Sequence, residues 1–194
     1  MEFDNVYSRF TGKPTQEMVG HYYNRTNRHI ELVRGYIAKI VECAPDEFGE
    51  LADRAEVHDQ SKFEEPELTP YIWLTHRYKC QDCGEEFHCP DGMDDKMHDA
   101  TVHHVQNNSH HPEYHDRSCK DPINRDNRDE PSGMIDASGM SKIDVAEMVA
   151  DWCAVSKERG NTPTEWADAN VNKRWKFTTE QVQQIYDTIT RIWN

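Results

Sequence analysis

A histidine and an aspartate stand side by side in the stretch EVHDQSKF at residues 56–63, followed by a lysine. His58 continues an apolar stripe that includes Phe48 and Ala55, and this spacing predicts a helix over 46–59. Asp59 lies beside it, where the stripe enters the core. Two polar side chains at a buried edge need partners, because burial without them is costly. An imidazole and a carboxylate in this position therefore predict part of a metal site.

Two further predicted helices direct possible ligands toward the same core. One spans 15–43 and places His29 on a face with Val33, and the other spans 141–158 and places Asp151 on an apolar flank. Two imidazoles and two carboxylates suit Mn²⁺, Fe²⁺, Co²⁺ or Zn²⁺, with a position left for water. Each residue alone is more often a hydrogen-bonded core residue or a cap, so the prediction depends on the set as a whole.

Helical periodicity also marks 94–107 and the segment from 178, whereas strand-like alternation is almost absent. The predicted fold is all-α, as one domain over 1–194. Two segments interrupt it: a cysteine-containing insertion at 77–98 and a polar excursion at 115–140. Two isolated cysteines, Cys43 and Cys153, fall in helical patterns and are predicted to be small core residues.

The composition narrows the function classes. A formal net charge of −14 disfavours an extended nucleic-acid surface, which needs clustered Lys and Arg. The sequence has no apolar run long enough for a membrane span and no signal-peptide pattern at its start. These features predict a cytoplasmic protein with reduced cysteines. They leave assembly into a homo-oligomer open.

The order of a histidine, an adjacent His-Asp pair and a distant Asp resembles the HD-domain metal-dependent phosphohydrolases. The resemblance covers His29, His58, Asp59 and Asp151. More specifically, HDQSKF, HHVQNNSHHPEYH and EMVADW look like a small HD-like family of bacterial and phage genomes. It implies an HD-domain helical bundle and, for a phage-encoded chain, a location in the host cytoplasm.

Five histidines fall within residues 103–115. They resemble HD subfamilies that hold two metals, in which His104, His110 and His111 would bind the second ion. Glu113 would orient one of them. The alternative is a solvated histidine-rich loop, and the choice between one ion and two stays open.

The resemblance implies hydrolysis of a small nucleotide by a metal-activated water, as a nucleoside monophosphate phosphatase or a deoxynucleoside triphosphate hydrolase. Asp59 would orient or deprotonate the water, and Lys62 and Arg25 would contact phosphate oxygens. For Lys62 the alternative is an ion pair with Glu64 or Glu65, and for Arg25 it is a solvated helix position. The other functions considered are a di-iron oxygenase and a non-catalytic, zinc-braced binding module.

The sequence YKCQDCGEEF has the CxxC spacing of a zinc knuckle. Cys80, Cys83, Cys89 and His98 would complete a structural zinc site. Alternatively, His98 and His103 would join the first two cysteines as in a two-cysteine, two-histidine finger. Thiols without a metal remain the other interpretation.

Overall fold

The computed structural model describes residues 11–119, 122–125 and 133–193, and most of them are helical. The prediction of an all-α fold is confirmed. The helices are α1 (Gln16–Cys43), α2 (Pro45–Phe48), α3 (Leu51–Val57), α4 (Leu68–Cys83), α5 (Met93–Asn107), α6 (Lys142–Arg159), α7 (Pro163–Asn170) and α8 (Thr179–Ile192). Two 3₁₀ turns cover Gln60–Phe63 and Pro112–Tyr114. Strands β1 (Ile135–Asp136) and β2 (Trp175–Lys176) form a short parallel pair, with Ile135 opposite Trp175.

The chain divides into two compact units, each with its own core. The first unit comprises 11–27 and 60–104 of the described chain, and the second comprises 28–59 and the described residues from 105 onward. The first core is built from α1, α4 and α5: Met18, Tyr22, Tyr71, Ile72, Trp73, Leu74, Met93, Met97 and Ala100. The second is larger and centres on α6 and α8.

Helix α6 is apolar on most of its surface because the second core surrounds it. Val145, Met148, Val149 and Trp152 are all buried, as expected of a helix enclosed by its neighbours. Its first turn is fixed by a capping box, in which the Ser141 side chain accepts from the backbone N–H of residue 144. Helix α6 therefore provides a rigid position for the polar side chains that it carries.

The carboxylate at the start of α6 makes this helix sensitive to acid. Asp144 is part of the capping box and forms an ion pair with Arg54 Nη1 at 2.7 Å. Burial opposes ionisation, but the hydrogen bonds from Ser141 and Arg54 hold the pKa of Asp144 below its ordinary value. We expect Asp144→Asn to lower the free energy of unfolding by about 1–2 kcal/mol at neutral pH. Because the pKa of Asp144 is lower in the folded protein than in the unfolded chain, its contribution to stability is fully present above the ordinary pKa of the carboxyl. That contribution is lost as the pH falls through the folded-state pKa. Urea unfolding of both proteins at neutral and acidic pH should thus show the difference shrinking in acid, and a constant difference would contradict this role.

The predicted helix over 46–59 is divided in two. Helix α2 ends at Phe48, and Gly49 packs so closely that a Cβ would lie 2.9 Å from the Pro45 carbonyl oxygen. The predicted apolar stripe is nevertheless buried, with Phe48 at 6%, Leu51 at 0% and Ala55 at 6% exposure. The periodicity thus identified the buried face correctly and missed the break.

Other predictions have mixed outcomes. Cys153 is buried as predicted, but the prediction for Cys43 is wrong, since it is exposed at the end of α1. The segment 77–98 begins inside α4 and ends inside α5, so only the part between these helices departs from the helical body. Of the excursion at 115–140, residues 120, 121 and 126–132 lie outside the described residues, and Ile135–Asp136 forms β1.

Among the described helices, none combines the length and apolar character that crossing a membrane requires.

Candidate metal centre

The His-Asp pair lies where α3 ends. Val57 is the last helical residue, His58 is the C-cap with an extended ψ of 128°, and Asp59 has a φ of 58° in the left-handed region. Aspartate adopts this region more readily than most side chains. Both side chains are buried, at 0% and 1% exposure. The sharp turn after α3 therefore brings an imidazole and a carboxylate into the second core in succession.

Four predicted residues of the second unit meet at this point. The Oδ2 atom of Asp59 lies 3.7 Å from His29 Nε2 and 3.7 Å from His58 Nε2. His29 Nε2 is also 3.0 Å from Asp151 Oδ1. Two ligand atoms that are each about 2.1 Å from one ion lie roughly 3.0–4.2 Å apart. We call His29, His58, Asp59 and Asp151 the first set. Ligand atoms of its first three residues all lie within 4.8 Å of one another, a spacing suitable for a metal ion, and Asp151 contacts this group through His29.

A second set shares Asp59. Ligand atoms of Asp59, His110 and His111 lie within 4.8 Å of one another. His110 Nε2 is 3.8 Å from Asp59 Oδ1, the carboxylate oxygen that does not face the first set. The two oxygens of Asp59 therefore face different imidazoles. This arrangement brings two of the three predicted additional histidines to the centre.

Glutamates of α6 contact the opposite side of the histidine rings. Glu147 Oε1 lies 2.8 Å from His58 Nδ1, and Glu158 Oε2 lies 3.2 Å from His29 Nδ1. Carboxylates bound to the second ring nitrogen are typical of metal-ligating histidines, because they fix the ring orientation. Neither glutamate was predicted. Their spacing carried a signal, since Glu147 is four residues before Asp151 and Glu158 seven after it, which puts all three on one helical face.

Burial and charge set the protonation of these groups. Burial opposes ionisation of Asp151, but the hydrogen bond and charge of His29 hold its pKa well below the ordinary value. Burial also disfavours the charged form of His58, yet Asp59 and Glu147 outweigh it and raise the pKa of the imidazole. For His110, burial together with His111 and His58 keeps the pKa well below its usual value. Because metal ions bind neutral imidazole, protons compete with a metal more strongly at His58 than at His110.

The most exposed members of the first set lie on one side of it. The side chains of His29 and Asp151 are 12% and 15% exposed, whereas those of His58, Asp59 and His110 are 0–4% exposed. Solvent therefore reaches the first set from the side of α1 and α6. These groups could hold a metal ion, with His29 and Asp151 on the side of the ion nearer to solvent.

A comparison with protein families decides where the chain belongs. The model of DUF5662, a family of unknown function, matches residues 18–191. The chain belongs to the DUF5662 family. No curated protein and no solved structure matches it. The matched segment includes both sets of this DUF5662 chain and the two glutamates that support them.

Three other predicted residues belong to the first unit of the DUF5662 chain. Arg25 is exposed on α1, and the Lys62 ammonium lies 5.7 Å from the Tyr71 ring centroid. His104 Nδ1 lies 2.9 Å from Glu67 Oε2, and the Glu67 side chain is fully buried. Their predicted roles, phosphate contacts for Arg25 and Lys62 and metal ligation for His104, stay predictions.

The cysteines of the DUF5662 chain also lie in the first unit. Cys80 and Cys83 are in the last turn of α4, and Cys80 Sγ is 3.6 Å from His76 Nε2, a neighbour that was not predicted. Cys83 and Cys89 are exposed. Among the described residues, the groups of three or more side chains with ligand atoms within 4.8 Å contain no cysteine. The structural zinc site, with either His98 or both His98 and His103, stays a prediction.

The predicted role of Glu113 as an orienting residue for a neighbouring histidine also stays a prediction. Its Oε1 atom accepts a hydrogen bond at 2.9 Å from Trp175 Nε1, and Arg174 Nη2 lies 3.6 Å from the same oxygen. These contacts connect the histidine-rich segment to β2. The structure thus assigns Glu113 a place in the packing of the second unit that the sequence did not indicate.

Proposed function

We propose that this chain is an HD-type, metal-dependent phosphohydrolase that acts on nucleotides, as a nucleoside monophosphate phosphatase or a deoxynucleoside triphosphate hydrolase. The observation that carries the proposal is the position of Asp59 Oδ2, 3.7 Å from Nε2 of both His29 and His58. Together with Asp151, these groups have the order and the residue types of the resemblance described above. The donor set of imidazoles and carboxylates suits Mn²⁺, Fe²⁺, Co²⁺ or Zn²⁺.

The metal ion and the side chains around it have different roles in this proposal. A divalent ion supplies a lowered pKa for water and neutralises charge on phosphoryl oxygens. Asp59 is buried and fixed by the turn after α3, so it would hold the metal ion and orient the attacking water. His29 and Asp151 line the accessible side, where a phosphoryl group can approach. Lys62 and Arg25 keep their predicted role as phosphate contacts.

Two ions per chain are expected in this proposal. The support is that Asp59 Oδ1 faces His110 while Oδ2 faces the first set. A shared carboxylate is a common way to hold two ions about 3.5–4 Å apart for phosphoester hydrolysis. Loading the purified chain with Mn²⁺ or Co²⁺ and measuring bound metal by mass spectrometry should give about two ions, and Asp59→Asn should give fewer than one.

The reaction is tested with a panel of nucleoside and deoxynucleoside mono- and triphosphates. Released phosphate is measured with malachite green, released triphosphate by ion chromatography and released nucleoside by reversed-phase chromatography, with Asp59→Asn as the inactive control. We expect release from at least one nucleotide class by the Mn²⁺- or Co²⁺-loaded chain. Metal-loaded protein that releases neither phosphate nor triphosphate from any member of the panel would contradict the proposal.

A di-iron oxygenase is the second candidate, because the shared Asp59 fits a pair of iron ions equally well. Binding of about two iron ions per chain, with oxygen consumption and without phosphate release, would favour the oxygenase over the phosphohydrolase. The same panel therefore separates the two. A non-catalytic zinc-braced module would instead bind metal at the cysteines alone, and Asp59→Asn would leave its metal content unchanged.

A further inference from the structure

Glu147 contacts two imidazoles and a guanidinium at once. Its Oε1 atom lies 2.8 Å from His58 Nδ1 and 3.4 Å from His110 Nδ1. Its Oε2 atom lies 2.5 Å from Arg54 Nη2. The side chain is only 3% exposed. A buried carboxylate in such a position needs compensating partners, and the two ring nitrogens and the arginine lie close enough to provide them.

The same ring atom is used in both histidines. Because Nδ1 of His58 and Nδ1 of His110 both face Glu147, the opposite ring atom of each, Nε2, points elsewhere. His58 Nε2 lies 3.7 Å from Asp59 Oδ2, and His110 Nε2 lies 3.8 Å from Asp59 Oδ1. The two rings lie side by side, with centroids 4.5 Å apart. Glu147 thus contacts Nδ1 of both rings, and the Nε2 atoms of the same two rings face the two oxygens of Asp59.

We propose that Glu147 is a positioning residue that keeps His58 and His110 protonated on Nδ1, so that both rings present the Nε2 lone pair toward Asp59. In this role the single Glu147 side chain positions one histidine ligand for each ion of the proposed centre. The inference rests on the proposed function for the identity of that centre. It goes further in assigning a role to a residue outside either ligand set.

The position of Arg54 favours this role over direct ligation by Glu147. The guanidinium also donates hydrogen bonds to Asp144 Oδ1 at 2.7 Å and to Ser109 Oγ at 2.7 Å. These two hydrogen bonds hold it in place beside Glu147. A divalent cation bound to Glu147 would face this fixed positive charge at short range, which is unfavourable in a buried place. Two protonated Nδ1 groups carry no such penalty. Arg54 instead orients the carboxylate toward the rings.

Glu147→Gln tests the role because it removes the charge at almost constant size. The amide oxygen is the better partner for Arg54, so the amide NH₂ group would turn toward the two Nδ1 atoms. An NH₂ donor requires an acceptor, which favours the tautomer with the proton on Nε2. Each ring would then direct an N–H toward the place where the ion binds. We expect Glu147→Gln to weaken Zn²⁺ or Co²⁺ binding by roughly 10–100-fold, the usual effect of losing such a partner.

The tautomers are measured directly in the unsubstituted, ¹⁵N-labelled chain. Long-range ¹H–¹⁵N spectra are recorded metal-free, at a pH where both rings are neutral, and again with Zn²⁺. We expect protons on Nδ1 of His58 and His110 in both states, with His58→Gln and His110→Gln used for assignment. A neutral ring in either residue that carries its proton on Nε2 would overturn the inference. This readout does not depend on any Glu147 variant folding.

Metal titrations complete the test, with Glu180→Gln as the matched control because residue 180 is exposed on α8. The control should bind metal like the unsubstituted chain. Unchanged affinity in Glu147→Gln would overturn the positioning role, as would complete loss of one ion with the other intact, since that outcome identifies Glu147 as a ligand. An unsubstituted chain that binds no ion except at its cysteines would instead overturn the proposed function, while the tautomer measurement still decides what Glu147 does.

Discussion

We expect the replacement of Asp59 by asparagine to remove metal from both sets and to abolish the proposed nucleotide hydrolysis. Each oxygen of this carboxylate faces a different group of imidazoles, at 3.7 Å for Oδ2 and 3.8 Å for Oδ1. The loss should exceed the roughly 10–100-fold effect expected for a residue that acts only through a ligand. Metal content by mass spectrometry and phosphate release by malachite green measure the two effects in one preparation.

Asparagine is the appropriate substitution because the backbone of residue 59 has a φ of 58°. Asparagine tolerates this left-handed conformation, whereas alanine would add strain of about 1–3 kcal/mol and confuse lost chemistry with lost folding. Asp53→Asn is the matched control, since residue 53 is exposed on the same helix α3. Full metal occupancy in Asp59→Asn would exclude residue 59 as a ligand.

Replacing Arg54 by leucine should have the largest effect on stability. Arg54 is the cation between Asp144 and Glu147, at 2.7 and 2.5 Å, and both carboxylates are largely buried. Removing one partner of a buried charge network typically costs about 3–5 kcal/mol, because the remaining charges lose their compensation. Urea unfolding of the metal-free proteins measures the cost without a contribution from bound ions.

Arg34→Leu provides the comparison for that experiment. Arg34 pairs with Glu56 at 3.5 Å, and the side chains are 39% and 76% exposed. Exposed ion pairs contribute about 0–1 kcal/mol. Equal costs for the two leucine variants would mean that Arg54 is not essential for the charge balance around Glu147.

Three residues of the first set could be predicted because they lie on an apolar helical face or directly continue one. Periodicity placed His29 in α1, His58 at the end of α3 and Asp151 in α6, and the second core brings those faces together. Asp59 depended on more than periodicity, since its left-handed φ reverses the chain after His58. No helical pattern contains that information.

The supporting residues were harder to predict because charged side chains usually face solvent. Glu147 and Glu158 share the face of Asp151, but a single sequence does not show which glutamates of a helix are buried. The prediction for Cys43 is wrong for a related reason: Cys43 follows the stripe of α1, but it lies at the helix end, where its side chain is exposed. The neighbour of Cys80, His76, lies one turn earlier on α4, outside the residues that the CxxC spacing of a zinc knuckle indicates.

The central claim is that His29, His58, Asp59 and Asp151 hold a divalent transition metal. Anomalous diffraction from crystals of the metal-loaded chain, collected at the manganese, iron, cobalt and zinc edges, tests it most directly. We expect a peak about 2.0–2.2 Å from Nε2 of both histidines and from both carboxylates, and a second peak between Asp59 and His110. Anomalous density at the cysteines alone, with none beside Asp59, would contradict the claim.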